Sequence, residues 1–166
     1  VLGAHEVSGP KGSFTLQFEN QGTTGACFYV YQDHTSEKPR RYTVGAGATL
    51  QDDWRTPADH LAKFTVLGPN GFARYFHRSS QTSVLVSATD DTTAGALVLT
   101  FANRTNRTQT LHIHDNAYGQ PSQTVTVAAH AVAHKTLTLA ESDQWYDISV
   151  KIAAEPKTEN RFAGHI

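Results

Sequence analysis

An all-β chain of two tandem immunoglobulin-like antiparallel β-sandwich domains is predicted by three observations. Apolar residues recur at every second position, turn-forming residues punctuate the runs at short spacing, and the pattern is laid down twice. Sliding the chain against itself by 83 residues aligns positions 1–50 with 84–133 without a gap. "FTLQFEN" at 14–20 falls on "LVLTFAN" at 97–103, "CFYVYQD" at 27–33 on "TLHIHDN" at 110–116, and "YTVGAGA" at 42–48 on "VTVAAHA" at 125–131.

Each run has a period of two. Phe14, Leu16 and Phe18 alternate with Thr15, Gln17 and Glu19, and Phe28 and Val30 with Tyr29 and Tyr31. Leu97, Leu99, Phe101, Leu111 and Ile113 repeat the plan, so each strand turns one side to a core and the other outward. Phe64 and Val66 start the last hairpin of the first copy. Pro69 is expected at the first corner of its turn, with Asn70 and Gly71 taking the less common backbone angles and Phe72 to His77 returning as the final strand. "WYDISVKI" at 145–152 and "NRFAGH" at 160–165 answer it in the second copy, across a longer connection. This gives about seven strands per copy and boundaries of 1–80 and 81–166, with the seam in "SSQTS" at 79–83.

Bulk composition narrows the function. Fourteen Lys and Arg against fifteen Asp and Glu leave no basic footprint, which excludes nucleic acid as a partner. Runs such as "ALVLTF" at 96–101 are far short of the ~20 residues of a membrane-spanning helix. The single cysteine, Cys27, forms no internal disulfide. The chain begins at Val1 without an initiator Met and is expected to be a fragment or processed piece.

Catalytic motifs are missing: no GxSxG, GxxxxGK, HExxH or CxxC occurs, so no catalytic residue, metal site or cofactor is assigned. "GAG" at 45–47 lies between strands and is a turn, not a phosphate cradle. Asp52 and Asp53 are strand neighbours that point opposite ways; Asp90 and Asp91 precede a strand, where solvated loop charge outweighs a calcium loop. His112 and His114 share one strand face, with His130 and His134 in the next hairpin, and are the best metal hypothesis. Tyr29 and Tyr31 stand at the matching positions of the first copy, which favours surface histidines. Tyr29, Tyr31, Trp54, Phe72, Tyr75 and Trp145 are candidates for an aromatic platform that would stack on sugars or anchor at a headgroup layer, weighed against roles in the core. Binding candidates are therefore Tyr29, Tyr31, His112 and His114. "NRT" at Asn103 and Asn106 matches a glycosylation acceptor pattern that a bacterial chain rarely uses.

"YTVGAG" at 42–47, Trp54, "FTVLGPNGFARYF" at 64–76, "WYDISV" at 145–150 and "RFAGHI" at 161–166 resemble, in order and spacing, the carboxy-terminal domains of bacterial phosphocholine-preferring phospholipase C. Ala73 and Tyr75 depart from the bulkier apolar and acidic residues expected there, and His77 with Arg78 replaces a glycine-rich end. The resemblance implies a tandem sandwich pair from a larger exported hydrolase, secreted or periplasmic, that cleaves phosphatidylcholine or sphingomyelin. It also implies that metal ligands and nucleophile lie in an amino-terminal catalytic domain outside this sequence. That domain is the implied partner, with a phospholipid surface as a second one.

Overall fold

The computed structural model describes residues 1–10, 13–33, 36, 38–56, 61–78 and 82–166. The expected period of two is realised as antiparallel strands. β1 (Leu2–Val7), β2 (Ser13–Asn20), β3 (Ala26–Gln32), β4 (Arg40–Val44), β5 (Ala48–Arg55), β6 (Ala62–Leu67) and β7 (Ala73–Arg78) form the first half. β8 (Val84–Asp91), β9 (Ala96–Asn103), β10 (Gln109–Asp115), β11 (Gln123–Val127), β12 (Val132–Thr138), β13 (Trp145–Ile152) and β14 (Glu159–His165) form the second, with one 3₁₀ turn at Ala140–Ser142.

Each half has its own core, because alternation sends every second side chain into the space between two sheets. Phe14, Leu16, Phe18, Phe28, Val30, Trp54, Phe64, Val66 and Phe76 fill the first. Leu97, Leu99, Phe101, Leu111, Ile113, Leu137, Ile148, Val150 and Phe162 fill the second. Some aromatic side chains of the first core correspond to aliphatic ones of the second, Phe14 to Leu97 and Phe28 to Leu111, while Phe18 keeps an aromatic counterpart in Phe101. Phe14 stacks on Phe64 with ring centroids 4.3 Å apart, whereas Leu97 takes the place of Phe14. Each such burial contributes ~1.5–3 kcal/mol.

The repeat does not predict how the halves join. β7 pairs with β14, so one eight-stranded sheet runs β11-β10-β13-β14-β7-β6-β3-β4 through both halves. Two three-stranded sheets, β1-β2-β5 and β12-β9-β8, cover its inner side, and β1 lies against β8. At the join Tyr75 faces Arg161, Phe76 faces Asn160 and Arg74 faces Phe162. The corresponding residues Phe76 and Phe162 thus sit one step to either side of a local two-fold axis. Of the expected seam, 79–81 lie outside the described residues. Thr82 is buried and the Ser83 N–H donates to Glu155 Oε1 at 2.8 Å, so the chain enters β8 tied to the turn after β13.

One polar residue is repeated with its whole environment. Asn20 Nδ2 donates to the carbonyls of Thr24 (2.8 Å), Val44 (3.0 Å) and Gly45 (3.1 Å). Asn103, 83 positions on, donates to Arg107 (2.7 Å), Val127 (3.1 Å) and Ala128 (2.9 Å). Both are buried, and each pins the turn after its own strand to the end of a strand in the opposite sheet.

The turn at 68–72 corrects the sequence expectation by one position. Phe72 N donates to Pro69 O at 3.1 Å, and Asn70 and Gly71 have φ of 55° and 74°. Asn-Gly therefore occupies both central positions, as hairpin twist favours, and Pro69 precedes the corner. The β4–β5 turn carries Gly47 at φ 65°, and its counterpart, 83 residues on, is His130 at φ 56°.

Candidate functional site

Outward-facing residues of the long sheet fall into rungs set by strand register. One rung runs Tyr31, Thr65, Tyr75, Arg161, Ser149, His114 across six strands. The next runs Lys63, His77, Glu159, Lys151, His112, Thr124. A third carries Arg41, Tyr29, Leu67, Ala73, Ala163 and Asp147. The four binding candidates from the sequence thus share one face of one sheet, the tyrosines toward the β4 end and the histidines toward the β11 end. Tyr29, Tyr31, Leu67 and Trp145 are 42 %, 38 %, 38 % and 41 % exposed.

The middle of this face is a fixed polar network. Arg161 donates through Nε and Nη2 to the Asp147 carboxylate at 2.6 and 2.5 Å and lies 5.2 Å from the Tyr75 ring centroid. Asn116 Nδ2 donates to Asp147 Oδ1 and Ser149 Oγ, both at 3.0 Å. The Arg161 bonds hold the Asp147 carboxyl below its usual range. Lys151 Nζ lies 3.6 Å from Glu159 in the neighbouring rung. Tyr75, His77, Glu159 and Arg161 border a concavity of about 120 Å³. Burial first, and then the Lys63 ammonium, hold the His77 imidazole below its usual value.

The histidine group does not converge. His112 and His114 sit on β10 with Nδ1 near Thr124 Oγ1 (3.3 Å) and Ser122 Oγ (3.1 Å). His134 lies on β12, in another sheet, 3.0 Å from Thr100 Oγ1. His130 is spent on the left-handed position of a turn. Among the described residues no three His, Cys, Asp or Glu side chains are grouped to hold a metal ion. Of the aromatic candidates, Trp54 and Phe72 are core residues, Trp54 turned inward by strand parity on β5 and Phe72 packed inward from the turn before β7; Tyr29, Tyr31 and Trp145 stay outside. Trp145 covers Gly71, where an added Cβ would come within 3.2 Å of its ring, and packs 4.7 Å from the His165 ring.

Asp90 and Asp91 close β8 and separate in role. Asp91 Oδ1 accepts from the N–H groups of Thr93 (3.1 Å) and Ala94 (2.9 Å), which organises the turn. Asp90 instead accepts from Tyr146 Oη at 3.0 Å, and Tyr146 Oη accepts from Arg74 Nη2 at 3.0 Å. Arg74 is fully buried, bonds the carbonyls of Ala73 and Ala163, and stacks 4.0 Å from the Phe72 ring centroid. Burial pushes the Asp90 carboxyl up and the Tyr146 phenol up to about 12. A cleft of about 140 Å³ opens above this relay, lined by Leu2, Phe72, Asp90, Tyr146 and His165 among others. In the sequence Arg74 is one residue of the motif at 64–76, and no local pattern marks it as part of a relay. Of the two "NRT" matches, Asn103 is buried and fully bonded, while Asn106 is exposed.

The fold and its faces can be set beside known proteins. The family model for bacterial phospholipase C, C-terminal domain, matches residues 3–77 and again 84–165, the two copies found by self-alignment. Non-hemolytic phospholipase C of Burkholderia pseudomallei is 33 % identical over 174 residues, covering 100 % of this chain and 24 % of the relative. Non-hemolytic phospholipase C of Pseudomonas aeruginosa is 31 % identical over 176 residues, covering 99 % and 25 %. This chain therefore spans about a quarter of the length of the curated relatives it matches. A crystal structure of red sea bream transglutaminase aligns over 92 % of this chain and 28 % of that one, at TM-score 0.31 and 11 % identity, too low a likeness to bear on function. Two family matches that together cover almost every residue, in the order of the internal repeat, make this chain a member of the bacterial phospholipase C C-terminal domain family.

Proposed function

We propose that this chain is the non-catalytic accessory region of a secreted or periplasmic bacterial phospholipase C that hydrolyses phosphatidylcholine or sphingomyelin. In this role it supports the amino-terminal catalytic domain of the same parent chain and positions it on lipid. The observation that carries the proposal is the double family match on a chain a quarter as long as relatives named phospholipase C. The site chemistry supports it. Among the described residues the buried titratable groups form structural pairs, and no nucleophile, base and orienting group meet around an open position.

The test is a parent protein lacking residues 1–166, assayed on phosphatidylcholine vesicles and on a soluble phosphorylcholine ester. Vesicle turnover is expected to fall by about tenfold, ~1.4 kcal/mol of lost positioning, with soluble turnover retained. An equal fall on both substrates refutes lipid positioning, and turnover by purified 1–166 refutes the accessory role. Exposed Tyr29 and Tyr31 favour a second reading, a free-standing carbohydrate- or lipid-binding module. Glycan-array and liposome binding by the isolated chain separates the two.

A further inference from the structure

We propose that the outward face of the eight-stranded sheet, centred on Tyr75 and Arg161 and anchored by Tyr29 and Tyr31, is the surface on which the rest of the parent polypeptide docks. The inference rests on the accessory reading above and adds to it the face and the kind of occupant, a folded protein surface of ordinary mixed polarity.

Three observations carry it. The first is asymmetry between the two outer faces. The long sheet shows Tyr29, Tyr31, Tyr75 and Trp145 to the outside. The covering sheets show Gln17, Gln51, Thr100 and Thr136, with Gln51 donating to Gln17; they also expose Leu50 and Val132, but among the described residues no aromatic side chain. Aromatic residues and arginine are the types enriched where proteins meet, and the Thr- and Gln-rich layer is an ordinary solvent face.

The second is charge. The central cations are already matched, Arg161 by Asp147 and Lys151 by Glu159. A face that must be covered by protein is best prepared this way, since covering an unpaired charge is costly. A face for anionic lipid needs free cations instead, and zwitterionic phosphatidylcholine is told apart from protein by the vesicle arm of the experiment below.

The third is size. Eight strands about 4.8 Å apart, each paired over about five residues at about 3.4 Å per residue, give a face on the order of 650 Å². A partner in a standard specific interface contributes about 800 Å². About three quarters of each relative's length lies beyond the part this chain matches, enough for a folded body of that footprint.

The experiment is radical footprinting of the intact parent protein, free of lipid, read by mass spectrometry. Tyr118, 42 % exposed in the β10–β11 loop, is the control for Tyr29, which is exposed to the same extent. His134, on the covering layer, is the control for His112 and His114. Docking predicts that Tyr29, Tyr31, His112 and His114 are oxidised several-fold more slowly than their controls. Replacing Tyr31→Arg in the parent should restore the reactivity of Tyr29, His112 and His114, and Thr136→Arg on the opposite layer should not. Equal rates for face and control residues overturn the proposal. So does shielding that arises only with phosphatidylcholine vesicles, which makes lipid the occupant, or only at rising concentration, which makes it a second copy. If the face is shielded but the parent hydrolyses no phospholipid, docking stands and the phospholipase reading falls. If vesicle turnover needs residues 1–166 while the face stays reactive, the accessory reading stands and this docking face falls.

Discussion

Replacing Asn103 with alanine probes the bond set that each half holds in duplicate. The Asn103 amide shares two N–H hydrogens among the carbonyls of Arg107, Val127 and Ala128, and its oxygen accepts from the Thr105 N–H at 3.0 Å. That is about three bonds' worth at a net ~1 kcal/mol each, so Asn103→Ala should cost ~3 kcal/mol. For a chain of this size the loss corresponds to a fall in Tm of about 6–12 °C. Asn103→Asp should be worse at neutral pH, because it aims a carboxylate at three carbonyl oxygens in a buried place. That carboxyl is expected to titrate above its unfolded value, so the excess penalty should fade as the pH falls through the raised folded value and be gone below about pH 4. Urea denaturation of the 166-residue chain at neutral and acid pH reads all of this, and Asn20→Ala gives an internal replicate in the other half. A cost under about 1 kcal/mol for Asn103→Ala, or no difference between Ala and Asp at pH 7, would refute the reasoning, since neither fits a buried donor holding three acceptors.

Four further outcomes are expected. Arg74→Met leaves Asp90 and Tyr146 buried without their cation and should cost ~3–5 kcal/mol, partly recovered by a second change, Asp90→Asn; additive effects in that double-mutant cycle would show the three are not coupled. Gly47→Val should cost ~1–2 kcal/mol for forcing a β-branched residue to φ 65°, while His130→Gly should be neutral or stabilise by up to ~1 kcal/mol; the urea midpoints of the pair must move in those directions. Asp147, held below its unfolded value by Arg161, contributes stability above about pH 4 and loses it as pH falls through the lowered folded value, so Asp147→Asn should flatten the pH dependence of stability below about pH 4. Gly164→Ala should destabilise strongly, because its Cβ would meet Tyr146 Oη at 2.7 Å inside the relay; an unchanged Tm shows the relay can move aside.

Strand position and facing were readable because a period of two is a local signal. Phe14, Leu16 and Phe18 alternate, and all three are buried. Parity also decides the aromatic candidates in hindsight. Trp54 pairs in register with Phe14 and so faces the core, whereas Tyr29 and Tyr31 flank the inward Val30. The union of the halves was not readable. The β7–β14 pairing has no connecting turn, and its register is set by residues 82 to 90 positions apart. Arg74 and Asn103 were hidden for another reason. An arginine and an asparagine next to turns look like solvent-facing residues, and only the tertiary fold shows that their donors are needed inside. Nor could the sequence show that tyrosines of one repeat and histidines of the other share a surface, since that depends on the sheet continuing across the join.

The β7–β14 pairing also bears on what happens when the chain is cut. Each of these strands is, within its own half, the last one of a sheet, with backbone donors and acceptors that need a neighbour. Each half therefore acts as the other's stopper, and the local two-fold axis makes the fit self-complementary in kind. A protease nick between the halves followed by their separation would free two sticky edges. The products should then seek copies of themselves, and the intact 166 residues are the unit to purify.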